Sequence, residues 1–272
     1  MPVPVAWRVL LVVVFTAGTR AAEPPMLDAG YRQMYDLQFG QAHQTFAELE
    51  RLRPDDPVAP ASDAAAYLFS ELDRLNALQA EFFVDDDKFK HHKRPAPDPA
   101  VRRSFDRDLA RSATLSSQRL AKSPDDKDAL FATTLQFGLQ SNYDALIEKH
   151  FLASLKETRN GRQTAEKLLA IDPGCYDAYL AIGVENYVLS LKPAPLRWLL
   201  EMGGAETDRN VGLAKLRLTA EKGHYLRPFA QLLLAVAALR DKDQAKAKEI
   251  LRALMHQFPD NHLYREEFDR LR

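Results

Sequence analysis

Four stretches of the chain repeat one spacing, in which a small or apolar residue recurs at fixed offsets before a proline. Ala42, Phe46, Leu49 and Pro54 form the first, and Gly161, Ala165, Leu168 and Pro173 repeat its offsets of +4, +7 and +12. Ala247, Leu251, Leu254 and Pro259 repeat them again, and Gly212, Leu216 and Thr219 form a fourth set without the proline. Residues four and seven apart share one face of a helix, and proline cannot continue it. A helical unit that recurs in this way cannot bury its apolar face alone and must stack on its neighbours. The pattern predicts an all-α stack of helical pairs, a class that binds partners more often than it catalyses.

Residues 1–22 read as an export signal and are set aside from the fold. Arg8 supplies a positive start, Val9 to Phe15 an apolar run, and Thr19-Arg20-Ala21-Ala22 small residues for cleavage after Ala21 or Ala22. The run is shorter than the ~18 apolar residues a membrane span needs. The expectation is therefore an exported protein, periplasmic or extracellular, with no stable span once the signal is removed. Cys175 is the single cysteine and lies far from the signal, so no lipid-attachment cysteine follows the leader. One cysteine also allows no disulfide within the chain. It follows Pro173-Gly174 at a predicted helix start, where a thiol can be activated, although a free cysteine usually packs as a small apolar residue.

Charge excludes one class of partner. The chain carries 37 basic and 38 acidic residues, a near balance unlike the basic stripe that nucleic acid demands.

The spacing predicts five helical pairs. These are 25–37 with 40–53, 61–79 with 101–122, 126–140 with 143–171, 176–190 with 207–222, and 228–240 with 243–257. A polar helix over 261–271 caps the open end. Additions fall at 80–100, 141–157 and 191–206. Pro124 and Pro173 stand 49 positions apart, against 34 in an ideal unit of this kind.

The repeated ending matches the second half of the tetratricopeptide (TPR) pattern, A-x3-F…P. The first half, W-x2-L-G-x2-Y, is met after Pro173 by Tyr179, Ile182 and Gly183, with Tyr187 one place late. Elsewhere it survives as Tyr67, Phe137 and Gly30, while Thr133 and Thr134 replace the Leu-Gly pair of the third unit. Over residues 24–272 the chain resembles the TPR superfamily. Its additions, Phe83 to Pro99, Ser141 to Lys149 and Leu196 to Gly212, are similar to exported bacterial TPR-like proteins with expanded middle repeats. The resemblance implies a right-handed superhelix of about five antiparallel helix pairs plus a C-terminal capping helix, export, and binding of a protein or peptide. No cofactor is implied.

In the TPR family the first helix of each pair lines the concave groove. Carried over, the groove positions include Phe131, Leu135 and Leu139 in the third unit. In the fourth they include Leu180, Val184, Tyr187 and Val188, and in the fifth Leu232 and Val236. So apolar a groove either receives a partner's helix or is covered by the chain itself. Self-covering is the favoured expectation, with Trp198, Leu199 and Leu200 placed against the first helices of units four and five.

Catalytic signatures such as G-x-S-x-G, H-E-x-x-H, the P-loop and C-x-x-C do not occur in the sequence. Asp85-Asp86-Asp87 with His91-His92 has metal-ligand chemistry, but the spacing lacks the glycine turn of a calcium loop. Asn142, Tyr143, Glu148, Lys149, Glu185 and Asn186 place polar groups on apolar helix faces. They constitute either a pocket for a small ligand or hydrolytic chemistry, or a satisfied network between helices.

Overall fold

A computed structural model describes residues 25–77 and 95–271, and among these residues there are twelve α-helices and no strand. In chain order they are α1 (Pro25–Tyr35), α2 (Phe39–Leu52), α3 (Val58–Arg74) and α4 (Pro99–Lys122). Next come α5 (Lys127–Asn142), α6 (Phe151–Ile171), α7 (Tyr179–Ser190) and α8 (Ala194–Met202). The series ends with α9 (Arg209–Lys222), α10 (Arg227–Arg240), α11 (Gln244–Gln257) and α12 (His262–Arg270). A π-helical turn, Tyr143–Ile147, prolongs α5, and a 3-10 turn, Tyr176–Ala178, precedes α7.

The prolines stop helices as their spacing predicts. Arg53, Asp172 and Phe258 each precede a proline and adopt an extended φ of −132°, −134° and −130°. Proline's ring excludes the helical conformation for the residue before it. Each of these residues then donates its N–H to the carbonyl of Leu49, Leu168 or Leu254, closing the last turn alike three times. In the fourth set, which lacks proline, Gly223 does the same with Thr219.

The repeated apolar positions are among the most deeply buried in the molecule. Phe46, Ala165, Leu168, Leu216, Ala247 and Leu254 are 0% exposed. The small residues bring helix axes together. A methyl group on Gly30 of α1 would overlap the Phe46 ring, and one on Gly212 of α9 would lie 2.5 Å from the Tyr187 nitrogen of α7.

Each helix packs on the next in the chain, and α3 also packs on both α1 and α5. The exception is α8, because α7 pairs with α9 instead. The addition expected over 191–206 is thus a short helix standing beside the stack. That expected over 141–157 is the end of α5, the π turn and the start of α6. Most of the first addition, through residue 94, lies outside the described residues, as do Asp85, Asp86, Asp87, His91 and His92.

The two ends of the stack meet. Tyr31 of α1 stacks on Tyr225 just before α10, with centroids 4.8 Å apart. Tyr35 lies 5.5 Å from Phe258, and Phe69 of α3 lies 5.8 Å from Phe229 of α10. Asp36 accepts the Asp260 N–H over 3.0 Å, and Asn261 donates to the Tyr35 carbonyl over 2.7 Å. Residues from both ends therefore belong to one apolar core running from Leu27 to Tyr264. This departs from the expectation of units packed only on sequential neighbours.

Candidate functional site

Where the first helices converge, closure leaves a cavity of about 90 Å³, partly open to solvent. Its walls come from α1 (Tyr31, Met34, Tyr35), α3 (Ala65, Phe69), α5, α6, α7 and the start of α10 (Phe229). Leu135 and Leu139 of α5 and Leu180 and Val184 of α7 line it, four of the positions assigned to the groove. The same wall contains Gly138, and a methyl group built there meets nothing within 4 Å. Polar atoms gather on one side, where Thr134, Ser141, Asn142 and Thr158 lie along the facing parts of α5 and α6. Such a space, mostly apolar with few polar groups, has the composition of a small-molecule pocket.

The other groove positions lie elsewhere. Phe131 is buried and faces Tyr225 at 6.3 Å. Tyr187 is buried against α9, Val236 lies in the core, and Val188 is 38% exposed. Leu232 borders a smaller hollow of about 20 Å³ with Met34, Tyr35 and Phe69.

Asp177 anchors the floor of the cavity. Its carboxylate accepts the N–H groups of His224, Tyr225 and Leu226 at 2.9, 3.0 and 3.1 Å, which fixes the turn that carries Tyr225 onto Tyr31. Burial raises its pKa above the usual carboxylate range, although the three amides pull the other way. In the sequence Asp177 is the first groove-facing position of the fourth unit, and here it lies opposite the turn before α10.

The six polar residues singled out in the sequence fall in three places. Asn142 borders the cavity. Tyr143 is fully buried, stacked on Phe105 at 4.7 Å with the Arg102 guanidinium 4.3 Å from its ring. Its hydroxyl is buried without a well-formed hydrogen bond. Glu148 accepts from Arg102 at 2.7 Å. Lys149 occupies the left-handed region at φ 59°, where the chain turns from the π segment into α6. Beside them, Asp144, Glu148 and His150 bring one ligand-type atom each within 4.8 Å of one another. Gln140 already donates to Asp144, and Arg102 supplies the positive charge that Glu148 faces. That cluster is complete as a set of ion pairs and hydrogen bonds.

Glu185 and Asn186 hold a loop. Arg162 donates to Glu185 at 2.9 Å, Glu166 at 2.7 Å, Glu206 at 3.2 Å and the Gly204 carbonyl at 3.2 Å. Glu185 accepts the Glu206 N–H, and Asn186 pairs with Glu206 and the Asp208 N–H. This network, missed as such in the sequence through Arg162 and Glu206, pins the segment after α8 onto α6 and α7. Burial is the main influence on Glu185 and raises its pKa, with Arg162 opposing.

Trp198 and Leu199 do not cover the groove. They are 65% and 58% exposed, and none of the nine residues of α8 is buried. The groove is filled instead by aromatic residues of α1 and the α10 region, and Arg197 ties α8 to the end of α7 through the Ser190 carbonyl at 3.2 Å. Among the described residues no helix is long and apolar enough to cross a membrane. Compared with protein-family models and with curated proteins, the chain finds no match.

Proposed function

We propose that the chain is an exported, non-catalytic binding protein that holds a small, largely apolar ligand in its central cavity. In this reading the architecture is a TPR-like right-handed superhelix of about five pairs with a capping helix, wound until its ends touch. The observation that carries the reading is the cavity of about 90 Å³ walled by Leu135, Leu139, Leu180, Val184 and the aromatic residues of α1. A peptide helix laid in the groove is disfavoured because Tyr31, Tyr225 and Phe229 already occupy that face. Catalysis is disfavoured because Glu148 and Glu185 are committed to Arg102 and Arg162.

A fluorescent fatty-acid probe titrated into the protein tests this. The wild type binds with an emission increase, and Gly138→Leu, which fills the open space with a side chain, weakens binding at least tenfold while the protein stays folded. Equal binding by Gly138→Leu, or none by the wild type, refutes the assignment.

A further inference from the structure

Helix α8 is the one described helix that buries none of its residues. Leu196, Trp198, Leu199 and Met202 are 42%, 65%, 58% and 65% exposed. At 100° per residue, Trp198, Leu199 and Met202 share one side, and Arg197, bonded to the protein, lies on the other. The apolar face of this helix is therefore turned outward, the reverse of an ordinary surface helix. Phe151 and Leu152 at the start of α6 are 45% and 85% exposed.

Basic residues accompany this face. Arg197 donates to the Ser190 carbonyl, and Arg159 of α6 donates to the Gly203 carbonyl at the other end of α8. Both partners are uncharged, so neither positive charge is cancelled. Lys192 precedes the helix, and Lys156 stands exposed one turn before Arg159. The acidic groups of these segments are Glu157, Glu201, Glu206 and Asp208; Glu201 bonds Thr207, Glu206 is paired with Arg162, and Asp208 caps α9. Lys156, Arg159 and Lys192 thus stand near this face without an ion pair to any described carboxylate. A short helix with tryptophan, leucine and methionine on its free side and cationic groups beside it suits the boundary between lipid headgroups and acyl chains.

We propose that α8 docks the protein on an anionic lipid surface, with Trp198, Leu199 and Met202 entering the interface and Lys156, Arg159 and Lys192 facing the headgroups. This contact goes beyond cavity binding and stands independently of it.

The test uses the mature chain from residue 23, whose only tryptophan is Trp198. Vesicles of phosphatidylcholine alone, or with about a third phosphatidylglycerol, serve as probes. Expected are sedimentation with the anionic vesicles, a shift of Trp198 emission to shorter wavelength, and much weaker binding to phosphatidylcholine alone. In the same background Leu199→Glu lowers anionic-vesicle binding at least tenfold with an unchanged Tm and unchanged fatty-acid binding. Lys192→Glu lowers it several-fold. Sedimentation without an emission shift, or unaltered in Leu199→Glu, assigns membrane attachment to another segment and overturns the proposal. So does concentration-dependent dimerisation abolished by Leu199→Glu, which gives the face to a second copy. An emission shift produced by lipid-free envelope proteins but not by vesicles also overturns it, in favour of a protein partner.

Discussion

The side-chain amide of Asn261 donates to the backbone carbonyl of Tyr35 over 2.7 Å, joining the cap of the last helix to the end of the first. Its oxygen accepts the Leu263 N–H over 3.0 Å, so one residue both starts α12 and closes the stack. Asn261→Ala removes both bonds and leaves a buried carbonyl unpaired, at a cost of about 2 kcal/mol. Urea denaturation of the two proteins measures it. Because both ends share a core, the wild type unfolds in a single transition, unlike an open array that frays unit by unit.

The close approach of α7 and α9 depends on Gly212. Its replacement by alanine drives a methyl group to 2.5 Å from the Tyr187 nitrogen and 2.9 Å from its Cα. Backbone cannot move aside cheaply, so Gly212→Ala destabilises by about 1–3 kcal/mol or more. Gly40, in the first turn of α2, has nothing within 4 Å of an added methyl. Gly40→Ala is expected to stabilise by up to about 1 kcal/mol. Opposite shifts in Tm for two identical substitutions check the packing.

Arg162 and Glu185 form a buried ion pair, their side chains 9% and 1% exposed. Arg162→Met strands the Glu185 carboxylate and costs about 3–5 kcal/mol. Adding Glu185→Gln removes the stranded charge while keeping an acceptor for the Glu206 N–H, and it recovers a large part of that loss. Double-mutant denaturation curves give the coupling. A double mutant as unstable as the sum of its parts contradicts a direct pair.

Burial raises the carboxyl pKa values of Asp177, Glu185, Asp108 and Glu50 in the folded protein. For such groups the folded state takes up protons before the unfolded state as pH falls. Their contribution to stability grows as pH drops from neutral toward the usual carboxylate value near 4 and is lost as pH rises through the folded values. Tm is therefore expected to be several degrees higher at pH 5 than at pH 7.5. Thermal melts across that interval decide the point, and a steady fall toward acid contradicts it.

The helical class and the helix ends could be read from the chain because both depend on local rules. Ala42, Phe46 and Leu49, and their counterparts, recur at helical spacing and are buried in all four sets, and each proline constrains the residue before it. Closure could not be read, because Tyr31 and Tyr225 are 194 positions apart and nothing near either marks its partner. The cavity was half legible. Leu135, Leu139, Leu180 and Val184 were assigned to the concave face, whereas Tyr31, Tyr35, Phe69 and Phe229 enter only once the ends have met. Trp198 and Leu199 misled because apolar side chains ordinarily face the protein. Here Arg197 anchors the opposite side of the same short helix, which turns them to solvent. Glu185 and Asn186 looked like components of a pocket because Arg162 and Glu206, which saturate them, lie some twenty residues away on either side.

The stacking of Tyr31 on Tyr225 also limits how such a chain can change over time. An open solenoid lengthens by duplicating a unit, since each new pair finds the same neighbour its predecessor had. Here an extra pair would act like a surplus stave in a barrel, prising the seam apart and leaving both aromatic edges wet. Growth is confined to segments that project sideways, as α8 does, and the number of staves is held constant by the geometry of the seam.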